Sequence, residues 1–332
     1  MRTWLLVVGV LVSCGEHGEG GLLDAPMGGA PDGLVDAAPM ASGAHHHYVV
    51  SHETSPTNNN QAREFGLDLN GDNTIVNQLG MVLGTLSSMG FQVQTTTNQL
   101  VDRGSILMLL DVQTDNFSAM TNAGATVYKG ATPSPAPCLS ANDTVCRRHL
   151  AGAGMFTVPA ASAHDPQLIG SVIGGTLLTT STNGKLHVQF VFNDNATTPI
   201  ELEMIGARIK ASGMSASAIT QANLAGAISD AEIHAKLTPA IRVNVTAAVQ
   251  RDCTTLNSPP GCGCTANSTG KTWLDLLDGG ISGTQKDCAV SLAEVEGNSL
   301  FQSLLAPDIT INGVSALSLG LRIDAVAATF TP

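Results

Sequence analysis

Between residues 185 and 204 apolar and polar residues alternate, and this period of two constrains the fold more than any other feature of the chain. Leu186, Val188, Phe190 and Phe192 fall on one side, with His187 and Gln189 on the other. Ile200, Leu202 and Met204 alternate in the same way with Glu201 and Glu203. Successive side chains of a strand face opposite sides of its sheet, so these segments predict half-buried antiparallel strands with one wet face. Leu317, Leu319, Leu321 and Ile323 repeat the pattern near the C-terminus. Asn183-Gly184 and Asn312-Gly313 tolerate positive φ and predict hairpin turns, the first joining 177–181 to 185–192. The apolar run 105–112 and the alternating run 125–129 add two more strands.

Helices interrupt the strands. Ile75, Leu79, Val82, Leu86 and Met89 share one face of a helix over 74–89, where Gly80 and Gly84 mark close packing on another backbone. Gly90 suits the position just past its end. Ser229-Asp-Ala-Glu232 reads as a capping box, and Thr238-Pro239 restarts a helix with the stripe Ile241, Val245 and Val249. Leu300, Leu304 and Leu305 lie on a helix ended by Pro307. The expected class is α+β, an antiparallel sheet packed with helices. Pro133, Pro135 and Pro137 suggest a boundary between an N-terminal α/β subdomain at 48–137 and an antiparallel-sheet domain at 138–332.

The first fourteen residues set the compartment. Arg2 precedes an apolar run of about ten residues, which is too short to span a bilayer and suits a signal peptide. Leu11-Val12-Ser13-Cys14 resembles the bacterial lipobox, in which the cysteine thiol is acylated before cleavage. This divides the N-terminus into a signal at 1–13 and a disordered lipid tether at 14–47 that is rich in Gly, Ala, Pro and Asp. His45-His46-His47 reads as the solvated polar end of that tether. Without Arg2 the chain carries 14 basic and 27 acidic residues, a balance that opposes binding to nucleic acid and to anionic headgroups. The membrane contact expected is therefore the lipid alone, on the cell envelope and by this reading the outer membrane. Only 4% of residues are aromatic and 13% charged, so the core must be built from Ala, Val, Leu and Ile.

Six cysteines remain beside Cys14, an even number that reads as disulfides in an exported chain. Cys138 and Cys146 are neighbours and predict one pair. Cys253, Cys262, Cys264 and Cys288 then admit three pairings. A zinc site on these four is the competing reading, disfavoured by the C-x-C spacing.

Asp68-Leu-Asn70-Gly-Asp72-Asn73-Thr74 is the sharpest chemical signal. Oxygen side chains at positions 1, 3 and 5 converge on a hard cation when such a loop wraps, with the Thr74 carbonyl as a further ligand. In these residues, and in Ile75 at position 8, the loop resembles EF-hand and dockerin calcium loops. It departs from them in Asn73 at the glycine position and in Leu79 where a bidentate carboxylate belongs, and Asn77 is the substitute ligand. The alternative is an Asx-rich turn capping the helix. Asp287, Ser291 and Glu294 form a fainter echo, with Ser291-x-x-Glu294 also readable as a capping box.

No template for a nucleophile elbow, zinc protease, P-loop or dinucleotide site fits; His149, His164 and His234 lack evident partners, and His187 on the wet strand face reads as a plain surface histidine. As a whole the chain resembles a set of uncharacterised predicted lipoproteins of myxobacteria-like genomes. The likeness rests on the lipobox, on Phe65–Asp72 with Asn77-Gln-Leu-Gly80, and on Cys262-Gly-Cys264 with Asp287–Ser291, and it implies no particular activity. The expectation is a non-enzymatic envelope lipoprotein with one weak calcium site and an envelope or surface protein as partner. The alternative is a carrier of a hydrophobic ligand or lipid in a cavity between sheet and helices.

Overall fold

A computed structural model describes residues 40–332 except 91, 141, 163–164, 182, 192–198, 257–258, 260 and 280–285. The signal, Cys14, most of the tether, Phe192, His164 and Gly283–Gln285 lie outside the described residues.

Strands β1 (His45–Thr54), β2 (Met108–Gln113), β3 (Ala119–Lys129), β6 (Leu168–Ile173), β7 (Thr176–Thr179), β9 (Ile200–Met214), β10 (Ala218–Ser229) and β12 (Val314–Thr329) pair in that order, each antiparallel to the next. β12 then pairs with β1, from Tyr48 opposite Ala327 to Thr54 opposite Arg322. The sheet thus closes on itself as an eight-stranded barrel, which removes the open edges a flat sheet would leave. Outside this ring, β8 (Lys185–Phe190) pairs with β9, and β11 (Ile309–Ile311) with β12. β4 (Ala131–Ser134) pairs with β5 (Gly154–Thr157), which continues parallel to the end of β12 and makes the twelve-stranded sheet mixed.

Two helical insertions interrupt this meander. The first lies between β1 and β2 and holds α1 (Asn59–Phe65), α2 (Gln78–Ser88) and α3 (Val93–Asp102). The second lies between β10 and β11. It runs through α4 (Asp230–Glu232), a π-helical stretch (Ile233–Leu237), α5 (Thr238–Asp252), α6 (Thr269–Leu277), α7 (Leu292–Gly297) and α8 (Ser299–Leu304). The fold is α+β, with helices packed on an antiparallel barrel.

Alternation sorts the side chains. Val50, Leu110, Val127, Leu168, Leu177, Ile209, Leu224 and Leu321 belong to one continuous buried core, together with Leu79, Val82 and Leu86 of α2 and Ile241, Val245 and Val249 of α5. Tyr48 of β1 joins the same core; it is fully buried, and its hydroxyl donates to the Ser215 carbonyl at 2.7 Å. The opposite face of β1 and β2 carries Val49 and Leu109, which pack with Leu100, Phe156 and Phe330 in a separate cluster.

Several expectations shift in register. The α2 helix starts at Gln78 rather than Thr74, because the Asn77 side chain caps it by accepting from the Gly80 amide. Asn312 (φ 50°) and Gly313 (φ 81°) form the expected turn between β11 and β12. Asn183-Gly184 does not join a hairpin, however: β7 and β8 pair with successive parts of β9, and the Gly184 carbonyl accepts from Ala207. Ser291 and Glu294 form a reciprocal capping box, whereas only half of the box forms at 229–232: the Ser229 hydroxyl accepts from the Glu232 amide, and the Glu232 carboxylate accepts from the Glu203 amide instead. The expected boundary at 137/138 falls within one barrel, since β1–β3 pair with β6 and β12. The tether ends earlier than expected, because His45, His46 and His47 open β1.

The disulfides join Cys138 to Cys146, Cys253 to Cys264 and Cys262 to Cys288. The first is the pair expected. The other two settle the three-way choice, and they fasten the end of α5 to the segment leading into α7.

Candidate metal centre

Three consecutive histidines on a strand cannot share a surface. His46 lies in the ring's interior parity with Tyr48; its Nε2 is 3.0 Å from the Thr114 carbonyl and its ring packs on Phe117. His45 and His47 fall on the outer wall with Val49. The β1–β2 register places Asp111 directly opposite His47, and Asp111 lies on the outer parity with Leu109.

These three side chains meet. His45 Nδ1 lies 2.8 Å from Asp111 Oδ2, and His47 Nε2 lies 3.7 Å from Asp111 Oδ1. One donor atom from each of the three falls within 4.8 Å of the others. The Asp111 side chain is only 4% exposed, His47 is 23% exposed and His45 is 53% exposed, so the group is a carboxylate at the floor with one imidazole open to solvent. His47 stacks on Phe330 at 4.3 Å between ring centroids, which fixes its plane. Burial lowers the pKa of His47 more than Asp111 raises it, so the ring favours the neutral form. Thr126 faces Asp111 from β3, and Tyr128, two residues on, has its phenol pKa raised by burial. Two imidazole nitrogens and a carboxylate suit a borderline transition metal.

The Asp68 loop is built differently. An antiparallel bridge between Leu67 and Val76 closes its neck. Asp68 accepts from the Gly71 and Asn73 amides, Asn70 accepts from Asp72, and Asp72 accepts from Thr74. Hydrogen bonds from Asn70 and Thr74 hold the Asp72 carboxyl below its usual range. Asn73 (φ 64°) and Gly71 (φ 85°) supply the left-handed turns. Asp68, Asn70 and Asp72 thus come together on one exposed loop, and Thr74 follows them. Asn77 does not join them: it is 5% exposed, and its Oδ1 accepts from both Gly80 and Gly320. Its role is a buried structural bridge in place of the ligand expected from sequence.

The fainter echo is also engaged elsewhere. The Asp287 and Cys288 amides donate to Asp278, and Glu294 caps Ser291. His187, read as a plain surface residue, is 20% exposed and binds Asp165 at 2.9 Å, a hydrogen bond that raises its pKa. His149 is fully buried, and desolvation lowers its pKa. His234 is exposed, 3.5 Å from Glu296.

Sequence reasoning missed Asp111 and the His45–His47 pair as a site. The readable signal was His-x-His, which puts both rings on one face if the segment is a strand. Its carboxylate is 64 residues further on, and nothing local announces it. Comparison with protein-family models, with curated proteins and with solved structures found no match for this chain.

Proposed function

We propose that this chain is an exported binding module of the bacterial cell envelope, held by lipid on Cys14, which works without catalysis from the outer wall of a filled barrel. The observation that carries this reading is the sorting of side chains. Apolar groups from all eight ring strands fill one core, while His45, His47 and Asp111 gather on the opposite face of β1 and β2. Three disulfides support export, because such bonds persist in oxidising compartments. Calcium at Asp68, Asn70 and Asp72 is the structural part of the same reading, an ion that would brace the arch leading into α2.

The carrier reading needs room for an apolar ligand. A recess of about 500 Å³ lies between Ile205, Ile311 and Val314, but Lys185 and Glu203 form its rim and pair at 2.9 Å. Native mass spectrometry of the protein released from its host membrane tests the choice. The expected mass is the chain from Cys14 with its acyl groups and no further organic ligand. An uncleaved chain or a stoichiometric bound lipid would overturn the proposal.

A further inference from the structure

We propose that His45, His47 and Asp111 bind one borderline divalent transition-metal ion, zinc being the reference case, with a coordination position left open to solvent. This inference rests on the outer-wall reading above and names the class of ligand that wall takes.

Ligands about 2.0–2.1 Å from a tetrahedral zinc stand about 3.3 Å from one another. Measured to the shared Asp111 Oδ1, His45 Nδ1 stands at 3.0 Å and His47 Nε2 at 3.7 Å, on either side of that value, and all three donor atoms fall within 4.8 Å of one another, so side-chain rotation brings them to one ion. The backbone beneath does not need to move. His45 and His47 sit two apart on one strand, Asp111 faces His47 in the hydrogen-bonded neighbour, and both strands belong to a closed barrel.

Asp111 is almost wholly buried, and among the described residues its ion-pair partners are these two histidines alone. A carboxylate buried to this degree needs compensation by opposite charge. A cation placed between the three would neutralise it.

Two nitrogen donors disfavour calcium and magnesium, which take oxygen ligands, and favour zinc, copper, nickel or cobalt. Phe330 closes one side of His47, while half-exposed His45 leaves the other side to water. Three protein ligands and one water make an open site rather than a closed structural one. His46 takes no part, because strand alternation turns it to the Thr114 carbonyl.

The test is calorimetric titration of zinc into tag-free, oxidised, EDTA-treated protein, with cobalt as a visible reporter of coordination. The expected result is one zinc per chain, unaffected by millimolar calcium, and the intense visible bands of a low-coordinate cobalt centre. His45→Ala, on the exposed ring, and Asp111→Asn, which keeps the side-chain shape, should each weaken binding at least tenfold. His234→Ala, on a remote exposed histidine, should bind as wild type. Melting curves of the metal-free variants identify any that fail to fold, and His45→Ala then carries the comparison. Absence of zinc binding by folded wild type would overturn the inference, as would equal affinity in His45→Ala and wild type. Either result would leave the acylated mass without a further ligand, and hence the outer-wall reading, standing.

Discussion

Asn77 completes the backbone ladder of Gly320: its Oδ1 accepts from the Gly320 amide at 2.8 Å, and its Nδ2 donates to the Gly320 carbonyl at 2.9 Å. β12 reaches this point beyond the last β1 pairing, Thr54 with Arg322, so the side-chain amide stands where a neighbouring peptide would be. The approach requires glycine, since a Cβ at 320 would lie 2.6 Å from the Phe65 carbonyl. Asn98 of α3 does the same for β1, accepting from the Glu53 amide and donating to its carbonyl. Two asparagines from the first helical insertion thus satisfy strand edges at the barrel seam.

Asn77 also donates to Ala62 and accepts from Gly80, so removing it orphans buried groups on three elements. Asn77→Ala should cost about 3–5 kcal/mol, read as a lower urea midpoint. Asn77→Asp should also destabilise, because a carboxylate would face the carbonyls of Ala62 and Gly320. A midpoint unchanged in both variants would refute the bridge.

Glu53 is buried, its Oε1 has no hydrogen-bond partner, and burial pushes its pKa up to about 8. The folded state therefore binds more protons than the unfolded state between about pH 4.5 and pH 8. Stability should be highest below that window and fall as pH rises through it, by up to about 1.4 kcal/mol per unit. The raised pKa of His187 adds a loss in the same direction as pH rises. Glu53→Gln should flatten the main slope and stabilise the protein at pH 8, which unfolding midpoints across pH would show.

The Cys262–Cys288 bridge closes a 26-residue separation. Replacing both cysteines with serine should cost about 3–4 kcal/mol by loop entropy. The loss would appear as a lower melting temperature under oxidising conditions, with Cys253–Cys264 still formed by peptide mapping.

Calcium at the Asp68 loop predicts a separate response. Millimolar calcium should raise the melting temperature of wild type over its value in EDTA, and should leave Asp68→Ala unchanged. Asp68→Ala should also melt lower in EDTA, since Asp68 holds the Gly71 and Asn73 amides. Flat responses in both proteins would make the loop a turn only.

Much of the sheet was legible because alternation is local: β8, β9 and β12 follow from their own residues. Barrel closure was not, because Tyr48 and Ala327 pair across almost the whole chain and neither carries a mark of its partner. The Asn183-Gly184 signal misled for the converse reason, since the competing edge of β9 won over the local turn. Asn77 looked like a ligand by loop position because its amide suits a cation as well as a backbone edge, and only the fold brings Gly320 to it. Asp111 sits inside an apolar run, where nothing but the strand register links it to His47.

The most direct test of the account is zinc-edge anomalous diffraction from tag-free protein crystallised with equimolar zinc. A zinc ion held by this site gives one strong peak about 2 Å from His45, His47 and Asp111 on the outer wall. No peak there, or a dominant peak at the Asp68 loop, would contradict it.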